Sequence, residues 1–402
     1  MSYLLKLYDT PLVEFDLTRN IMGVYSFQIL NVFSGADIMP YPIAREGITP
    51  NSLYGWLQSR VAPSNRRFIV DVYRQMGINP NDIQGIIDVT HCLSLNDSYW
   101  VTRSDSNMLF KDYNLFDNKI DEVLSLVAYT GRTESEKHTV GLTSEWTTDG
   151  SFPKAWRRIN GRIYLYKSGQ YMPGFPEDKS PYSEFFASQI LDIMGLRHVP
   201  YTLHRWKGRL ASACPLFNTK DVSYVPYHRV FNVSNPWQVL GSTLTVSERV
   251  FEDIRAMYIF DILVANGDRH TLNFGFLRDN RTGRLLGTAP IFDNNASLFY
   301  GYSDLQPVRE ASIEELMTNS YWFWPKNSMV DAKTMASLLI TKEDKVRLRR
   351  VLGTNLRNDK TYKIDTRRLK DLNGFVHRSA RFLLSLPSNS LEEVKNRIYQ
   401  AI

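Results

Sequence analysis

Short apolar bursts separated by polar residues open the chain. Between residues 3 and 32 the two kinds of position alternate in this way, which is typical of a small β-meander. From residue 51 to residue 77 the apolar side chains recur at helical spacing, which predicts a pair of short helices. Residues 85–116 mix aromatic and polar positions, and the polar stretch 130–146 is the best candidate for a linker.

A hairpin, a helix and two strands are predicted next. The turn Asn160-Gly161 joins two arms that favour strands, TTDGSFPKAWRR and RIYLYKSG, and such a two-residue turn is typical of a β-hairpin. A helical pattern follows and ends at Gly195, a residue that favours the end of a helix. Residues 199–206 and 209–217 fit further strands.

The longest helical pattern begins near Thr245. Thr245 and Glu248 have the spacing of a capping box, and the pattern ends at Asn266-Gly267. The apolar stretches FGFLRD and LLGTAPIFD then predict a strand pair. Residues 305–402 predict several helices.

These elements predict an α+β protein of two or three packed parts, since 402 residues exceed what one hydrophobic core organises. The predicted parts are an N-terminal subdomain of meander and helices over 1–135, a β-rich lobe over 136–217 and a helical lobe over 218–402. The first part is expected to act as a docking module or as a lid. A nucleotide-binding cleft between a β-rich and a helical lobe is a common arrangement.

Composition changes this picture little. A hydrophobic fraction of 43% and a charged fraction of 22% are those of an ordinary globular protein. The formal charge of +6 suits a protein that handles phosphates but does not require one. The basic runs at residues 347–350 and 367–370 favour solvated helix faces over nucleic-acid patches, so direct nucleic-acid binding is not expected. Cys92 and Cys214 are too few for a disulfide framework or a cysteine metal site.

The N-terminal residues lack a basic leader, and no stretch approaches the ~18 apolar residues that span a bilayer. No internal repeat or low-complexity tract interrupts the chain. We therefore expect a cytoplasmic protein without a membrane segment.

The sequence NGDRHTLN, at positions 266–273, carries the strongest chemical signal. Asp268 and Asn273 have the spacing D-x-x-x-x-N in a polar loop after a buried helix, and Asp293 ends an apolar stretch twenty residues later. Phosphoryl transfer needs a carboxylate that accepts or orients the hydroxyl proton, and an amide oxygen and a carboxylate that hold Mg²⁺. The alternative is that Asp268 and Asn273 only satisfy loop backbone groups as Asx turns.

Lys167 and the turn before it form a second candidate. Lys167 ends the strand RIYLYK, and a strand lysine clamps the nucleotide phosphates in kinases. The turn 147–154, TTDGSFPK, offers N–H and hydroxyl donors that can cover phosphates. The alternatives are that Lys167 keeps its ammonium in water and that Lys154 is only a surface charge.

Together these segments resemble the HipA-like serine/threonine kinases. FDILVANGDRHTLNFGFL and PIFDN look like the C-terminal signature of that family, and TTDGSFPKAWRR, IYLYKSG and PYSEFFASQIL resemble its N-lobe. The match is good over about residues 140–300. The resemblance implies a two-lobed, protein-kinase-like fold with a β-rich N-lobe, a helical C-lobe and an extra N-terminal α/β subdomain. It also implies ATP and Mg²⁺ as cofactors.

The resemblance also implies roles for single residues. Asp268 matches the catalytic base of the family, and Asn273 and Asp293 match its magnesium ligands. The implied nucleotide-binding residues are the strand lysine Lys167, then Gly150, Ser151 and Lys154 in the glycine-containing turn, and Ala213 to Phe217 at the hinge that contacts adenine.

Three departures from the pattern of ordinary kinases stand out. The phosphate-covering turn has a single glycine and the bulky Phe152, and Phe292-Asp293-Asn294 replaces the Asp-Phe-Gly order. No separate activation segment is visible after Asp293. Glu184 is a candidate partner of Lys167, but a place in the first turn of its helix, where the helix dipole favours glutamate, is the favoured explanation.

Many HipA-like kinases are toxins of toxin–antitoxin pairs, so the resemblance implies a protein substrate and suggests a small DNA-binding antitoxin as partner. Hydroxyls of the glycine-containing turn can be self-phosphorylated in the family, and Thr147, Thr148 and Ser151 occupy that turn here. The alternatives are a small-molecule phosphotransferase on the same scaffold and a non-catalytic regulatory binding protein. The complete set of catalytic side chains argues against the second.

Overall fold

The computed structural model describes residues 1–19, 25–61, 67–79, 82–132, 141–148, 150–170, 178–318 and 330–401. The strands in these residues are β1 (Ser2–Leu7), β2 (Thr10–Arg19), β3 (Tyr25–Val32), β4 (Tyr99–Arg103), β5 (Lys154–Ile159), β6 (Arg162–Ser168), β7 (Thr202–Trp206), β8 (Arg209–Pro215), β9 (Val222–Pro226), β10 (Gly275–Asp279) and β11 (Leu285–Thr288). The helices are α1 (Tyr41–Glu46), α2 (Pro50–Gln58), α3 (Ile69–Met76), α4 (Ile83–Thr90), α5 (Phe110–Tyr113), α6 (Glu122–Thr130), α7 (Ser180–Met194), α8 (Tyr227–Phe231), α9 (Pro236–Leu244), α10 (Glu248–Val264), α11 (Gln306–Glu310), α12 (Ile313–Thr318), α13 (Ala332–Leu339), α14 (Lys342–Leu352), α15 (Thr366–Ser385) and α16 (Leu391–Ala401).

The chain divides into two compact units. The first unit contains Met1–Lys167, Pro215–Val225 and Leu277–Leu286, and the second contains the segments Ser168–Cys214, Pro226–Phe276 and Gly287–Ile402. The three-part division at 135 and 217 stays a prediction. Residues 133–140, about half of the predicted linker, lie outside the described residues.

A four-stranded antiparallel sheet forms the first part of the first unit. Its strand order is β3-β2-β1-β4, so the predicted meander is present as β1 to β3 and gains β4 from far along the chain. Tyr3, Leu5 and Phe15 are fully buried on one face. That face packs against Leu53 and Trp56 of α2, because strands that alternate apolar and polar side chains bury one side only.

The predicted hairpin also lies in the first unit. β5 and β6 pair antiparallel, and the turn residues Asn160 and Gly161 both have positive φ, 49° and 78°. Two such residues match the right-handed twist of the strands they join. The hairpin contacts α6, whose Ser125 hydroxyl donates to the Trp156 carbonyl at 3.0 Å.

In the second unit α7 ends at the predicted Gly195, whose φ is 68°. The predicted start of the longest helix is wrong. The N-cap of α10 is Ser247, whose hydroxyl accepts from the Val250 N–H at 3.2 Å. Thr245 instead ends α9, a helix that the pattern did not predict. Three residues separate α9 from α10.

Asp293 does not end a strand as predicted. The strand β11 stops at Thr288, and Pro290 follows, which lacks the N–H that would extend the ladder. Ile291 forms only an isolated parallel bridge with His198.

The predicted helices after residue 305 are present as α11 to α16 in the second unit, where α10 packs against α9, α13 and α15. A fully buried ion pair, Arg255 with Asp344, joins α10 to α14. Among the described residues there is no helix with the length and apolar character that crossing a membrane would take.

Arg278 ties the segment Leu277–Leu286 to the rest of the first unit. Its side chain is 2% exposed. The guanidinium donates to four acceptors, which are the carbonyls of Asp37, Met39 and Gly283 and the hydroxyl of Tyr99. Removing a buried donor group that serves four acceptors lowers stability strongly, because each acceptor is then left without a hydrogen-bond partner in a place that water does not reach.

We therefore expect Arg278→Met to lower the free energy of unfolding by about 3 kcal/mol or more. Urea denaturation followed by tryptophan fluorescence measures this change. The matched control is Arg281→Met, three residues away in the same segment and exposed, which should change stability by less than about 0.5 kcal/mol. Equal effects of the two substitutions would contradict the assigned role of Arg278.

Candidate functional site

The loop after α10 is fixed at its start by Asp261. Ala265 ends the helix in the left-handed conformation, with φ 52°. The next residue, Asn266, donates its backbone N–H to the Asp261 carbonyl and its side-chain amide to the Asp261 carboxylate, both at 2.9 Å. The Asn266 side chain in turn accepts from the Asp268 N–H at 3.2 Å. These hydrogen bonds therefore fix the conformation of the first residues of the loop.

Arg269 joins this loop to the segment that carries Asp293. Its side chain is fully buried. The guanidinium donates twice to the Asp261 carboxylate, each at 3.0 Å, and once to the Asn273 carbonyl at 3.0 Å. It also donates to the Phe292 carbonyl at 2.6 Å and to the Asn294 side-chain oxygen at 2.5 Å. One cation thus holds the end of α10, the end of the loop and both neighbours of Asp293.

The loop turns back so that Asp268 and Asn273 come together. The Asn273 amide nitrogen donates to the Asp268 carbonyl at 3.0 Å, and the Asn273 N–H donates to the His270 carbonyl at 2.8 Å. Asp268 is exposed while Asn273 is 8% exposed. Since its nitrogen is occupied, Asn273 has its side-chain oxygen left as an acceptor.

Asp293 is held in an uncommon backbone conformation by Tyr201. Its φ is 55°, a left-handed value that few residues other than glycine adopt. The Asp293 N–H donates to the Tyr201 hydroxyl oxygen at 3.2 Å. Burial raises the pKa of the Tyr201 phenol well above its usual value, and nearby charges, among them those of Glu184 and Asp293, raise it further. Tyr201 is therefore a neutral hydroxyl beside two carboxylates of the second unit.

Glu184 does not lie in the first turn of its helix, as the favoured sequence explanation required. The helix α7 begins at Ser180, and Glu184 is fully buried. Its carboxylate accepts a hydrogen bond from the Ser212 hydroxyl. A buried carboxylate costs free energy unless partners compensate it, so the helix dipole alone does not explain this residue.

In the first unit, the turn and the two lysines come together at the hairpin. Lys154 and Lys167 are directly opposite one another in the register of β5 and β6, and they are only 3% and 6% exposed. The alternative that they are surface charges is therefore wrong. Residues directly opposite in an antiparallel pair point to the same face of the sheet, so both lysines lie on one face of the hairpin.

Gly150 is the residue that lets the turn approach Lys154. Its φ is 94°, and a Cβ atom at this position would collide with the Lys154 Nζ. Ser151 is half-buried beside it. The neighbouring Asp149 lies outside the described residues.

The other hydroxyls of this turn already serve the fold. Thr147 is 7% exposed, and its hydroxyl bonds the Ser144 hydroxyl at 3.0 Å. The Thr148 hydroxyl donates to the Ser144 carbonyl at 2.8 Å and accepts from the Trp156 indole at 2.8 Å. Both threonine hydroxyls therefore have partners within the fold, and Ser151 and Thr148 are half-buried.

The two predicted adenine-hinge residues belong to different units. Ala213, in the second, is 1% exposed, and its carbonyl accepts from the Thr202 hydroxyl at 3.3 Å. Phe217, in the first, is half-buried and stacks edge-on against Tyr224 with ring centroids 5.3 Å apart.

The donor set of the second unit fits a magnesium ion. The Asn273 side-chain oxygen and the Asp293 carboxylate are hard oxygen ligands, which Mg²⁺ prefers. Mg²⁺ is usually held by one or two such protein groups together with substrate phosphates and water. In the parts of the chain that the structure describes, no group of three or more His, Cys, Asp or Glu side chains lies close enough together to hold a metal.

Sequence reasoning favoured loop-bracing hydrogen bonds for Arg269 and a loop-fixing role for Asp261, but it missed the contacts that join this loop to the segment around Asp293. The hydrogen bonds from Arg269 to Phe292 and Asn294 and the bond at the Tyr201 hydroxyl connect distant segments, and no local pattern indicates them. Asn294 was visible in PIFDN but had no assigned role. It is fully buried, and within the described residues its amide nitrogen has no hydrogen-bond partner.

Comparison with known proteins identifies relatives of the chain. No protein-family model matches it. The serine/threonine-protein kinase CtkA of Helicobacter pylori is 25% identical over 192 residues, which cover 42% of this chain and 58% of that kinase. The chain thus spans less than two thirds of the length of this curated relative.

Solved structures resemble the chain as well. A chain of the Shewanella oneidensis MR-1 complex of HipA, HipB and operator DNA is 11% identical, has a TM-score of 0.56, and covers 98% of this chain and 99% of its own length. The crystal structure of the Helicobacter pylori proinflammatory kinase CtkA is 19% identical and covers 62% of this chain and 94% of its own, with a TM-score of 0.43. The resemblance to HipA-like kinases and the predicted α+β, kinase-like fold are confirmed.

We expect Asp261 and Arg269 to be strongly coupled. Arg269→Met should lower the free energy of unfolding by about 3–5 kcal/mol, because it leaves the Asp261 carboxylate buried without its partner. Adding Asp261→Asn removes that charge, so the double variant should be more stable than the sum of the single effects by about 1–3 kcal/mol. Chemical denaturation of the three variants measures this coupling.

The pair Lys333 and Glu314, whose side chains are 40% and 63% exposed, is the control for that cycle, and its coupling should stay below about 1 kcal/mol. Additive effects of the Asp261 and Arg269 substitutions would show that the buried pair is not what holds the loop.

Proposed function

We propose that this chain, a HipA-like kinase by sequence and fold, transfers the γ-phosphate of ATP to a serine or threonine hydroxyl of a protein with the help of Mg²⁺. One observation carries the proposal. Arg269 holds the loop that bears Asp268 and Asn273 and both neighbours of Asp293 with one guanidinium. A kinase-like reaction needs these three side chains in one fixed arrangement, since positioning and metal charge supply most of the catalysis.

In this proposal Asp268 is the catalytic base. Its exposed carboxylate suits a group that accepts the proton of an incoming hydroxyl. Asn273 and Asp293 are the magnesium ligands, and their oxygen donors support that role. When bound, the ion supplies positive charge that stabilises the transferring phosphoryl group.

The nucleotide phosphates are assigned to the first unit's lysines and turn. Lys167 and Lys154 are opposite each other and buried. Gly150 and Ser151 provide the turn that covers the phosphates with backbone N–H groups. Ala213 and Phe217 are proposed as the adenine contacts.

We also propose that the chain phosphorylates its own glycine-containing turn and that it has a protein partner. Phosphate on the glycine-containing turn would repel bound ATP and act as an off-switch, and Ser151 is the favoured position over Thr147 and Thr148. HipA occurs in a complex with HipB and operator DNA, which supports a small DNA-binding antitoxin as partner and a role as the toxin of such a pair.

We propose the same division into three parts that the sequence predicted. Residues 1–135 form an N-terminal subdomain with a docking or lid role, residues 136–217 form the N-lobe, and residues 218–402 form the C-lobe. The protein is proposed to act in the cytoplasm.

We expect Asp268→Asn to lower the rate of phosphate transfer by about 10²-fold or more, because the substituted amide cannot accept the hydroxyl proton. Incubation with labelled ATP and Mg²⁺, with incorporation into the chain itself and into a cell lysate as readout, measures this. ATP affinity should change by less than about threefold, since the base contacts the acceptor rather than the nucleotide.

Asp304→Asn removes the same charge from an exposed position of the second unit and should leave transfer unchanged. Failure of the folded wild-type chain to transfer phosphate to any acceptor, although it binds ATP, would reject the proposed reaction.

We expect Lys167→Met to weaken ATP binding at least tenfold, since the variant loses the ammonium group proposed to bind the phosphates. Isothermal titration with ATP and Mg²⁺ measures the affinity. Arg162→Met is the matched control, because Arg162 lies on the same strand, carries the same charge and is exposed. An equal loss of affinity in both variants would show that Lys167 has no specific role.

A further inference from the structure

The positive charge of the chain is concentrated in one segment. Residues 345–381 contain twelve Lys and Arg residues against three Asp residues and no Glu, a net charge of +9. Because the whole chain carries +6, all other residues together carry −3. This segment contains most of α14, the connection 353–365 and most of α15, all in the second unit.

Most of these cations point into solvent. The exposed ones are Arg349, Arg350, Arg357, Lys360, Lys363, Arg367, Lys370 and Arg381. None of these eight forms an ion pair with another residue in the described parts of the chain. We call these eight residues the basic surface.

On α15 the three exposed basic residues lie along one stripe. Arg367 and Lys370 are three residues apart, and Arg381 follows Lys370 after eleven residues, or three helical turns. From Arg367 to Arg381 the stripe extends about 21 Å along the helix axis. The opposite face of the helix contains Leu372 and Phe375, which are buried, so the stripe is the outward face of a helix with a fixed orientation.

The simplest explanation for such residues is a solvated helix face, and the sequence analysis favoured it over a nucleic-acid patch. Exposed helices of soluble proteins normally intersperse both signs of charge, since like charges repel one another. Here eight exposed cations on successive elements form no ion pair with an acidic residue of the described chain, while the rest of the protein is slightly acidic. That asymmetry points to a partner that supplies the negative charge.

The chemistry of the surface selects the kind of partner. Protein interfaces have an apolar and aromatic core, but among the large exposed hydrophobic residues of the described chain only Val346 lies in this segment. Single-stranded nucleic acids are bound through exposed aromatic rings on which bases stack, and the segment has none among those residues. Protein–DNA interfaces are polar and strongly positive, and a stripe about 21 Å long can follow the phosphates of a duplex.

We propose that the basic surface binds the phosphate backbone of a nucleic-acid duplex without reading its base sequence. This activity goes beyond the proposed kinase reaction and departs from the expectation drawn from the sequence. It does not use the residues assigned to phosphate transfer.

The test measures binding of the full chain to a fluorescent 20-base-pair duplex of arbitrary sequence by anisotropy, in 50 to 200 mM KCl. The logarithm of the binding constant should fall with the logarithm of the salt concentration with a slope of about −3 or steeper, since counterions are released from the duplex. A second duplex of unrelated sequence should bind within about threefold. DNA and RNA duplexes of equal length show which source binds more tightly.

The triple variant Arg367→Ala, Lys370→Ala, Arg381→Ala should bind at least tenfold more weakly and make the slope less steep by about 3. The control Lys111→Ala, Lys119→Ala, Arg281→Ala removes the same charge from exposed positions of the first unit and should change affinity by less than about twofold. The charge-conserving variant Arg367→Lys, Arg381→Lys should retain binding within about threefold, which separates loss of charge from loss of folding.

Three outcomes would overturn the proposal. These are no binding at 50 mM KCl, equal weakening in the triple variant and its control, and tighter binding to phosphatidylserine vesicles than to either duplex. The last result would assign the surface to anionic membranes instead.

Discussion

The guanidinium of Arg269 is the interaction on which the candidate site depends. A buried charge is tolerated only where partners surround it, and here Asp261, two backbone carbonyls and Asn294 do so. Burial raises the pKa of the Asp261 carboxyl, and Arg269 opposes this effect. Because removing either group would leave the other buried without its partner, the loop after α10 and the segment around Asp293 have one arrangement relative to each other.

Other buried cations of the chain are also surrounded by acceptors. Arg255 and Asp344 join two helices of the second unit through a buried pair, and Arg278 joins separate segments of the first unit through carbonyl acceptors. In these cases the positive group has its acceptors in the chain itself. Lys154 and Lys167 are buried lysines at facing positions of β5 and β6, and they are the cations proposed to bind phosphate.

The charged residues of the surface also fall into two groups, those in ion pairs and those without. Paired residues such as Lys333 and Glu314 belong to the ordinary solvated surface and contribute little to stability. The basic surface of α14, α15 and their connection has no such pairs among the described residues, which is why a polyanionic partner is proposed for it. A kinase that binds ATP and a surface that binds a duplex would both use phosphate recognition, but through separate residues.

The sequence by itself determined the elements whose signals are local. The Asn160-Gly161 turn, the end of α7 at Gly195 and the helices after residue 305 follow from backbone preferences and periodicity, and the spacing of Asp268, Asn273 and Asp293 was enough to suggest phosphoryl transfer. Tertiary structure alone decided that Ser247 rather than Thr245 caps α10, that Glu184 is buried, and that the Tyr201 hydroxyl accepts from a backbone N–H 92 residues away. Burial and long-range hydrogen bonds depend on which segments pack together, and a one-dimensional pattern contains no direct record of that packing.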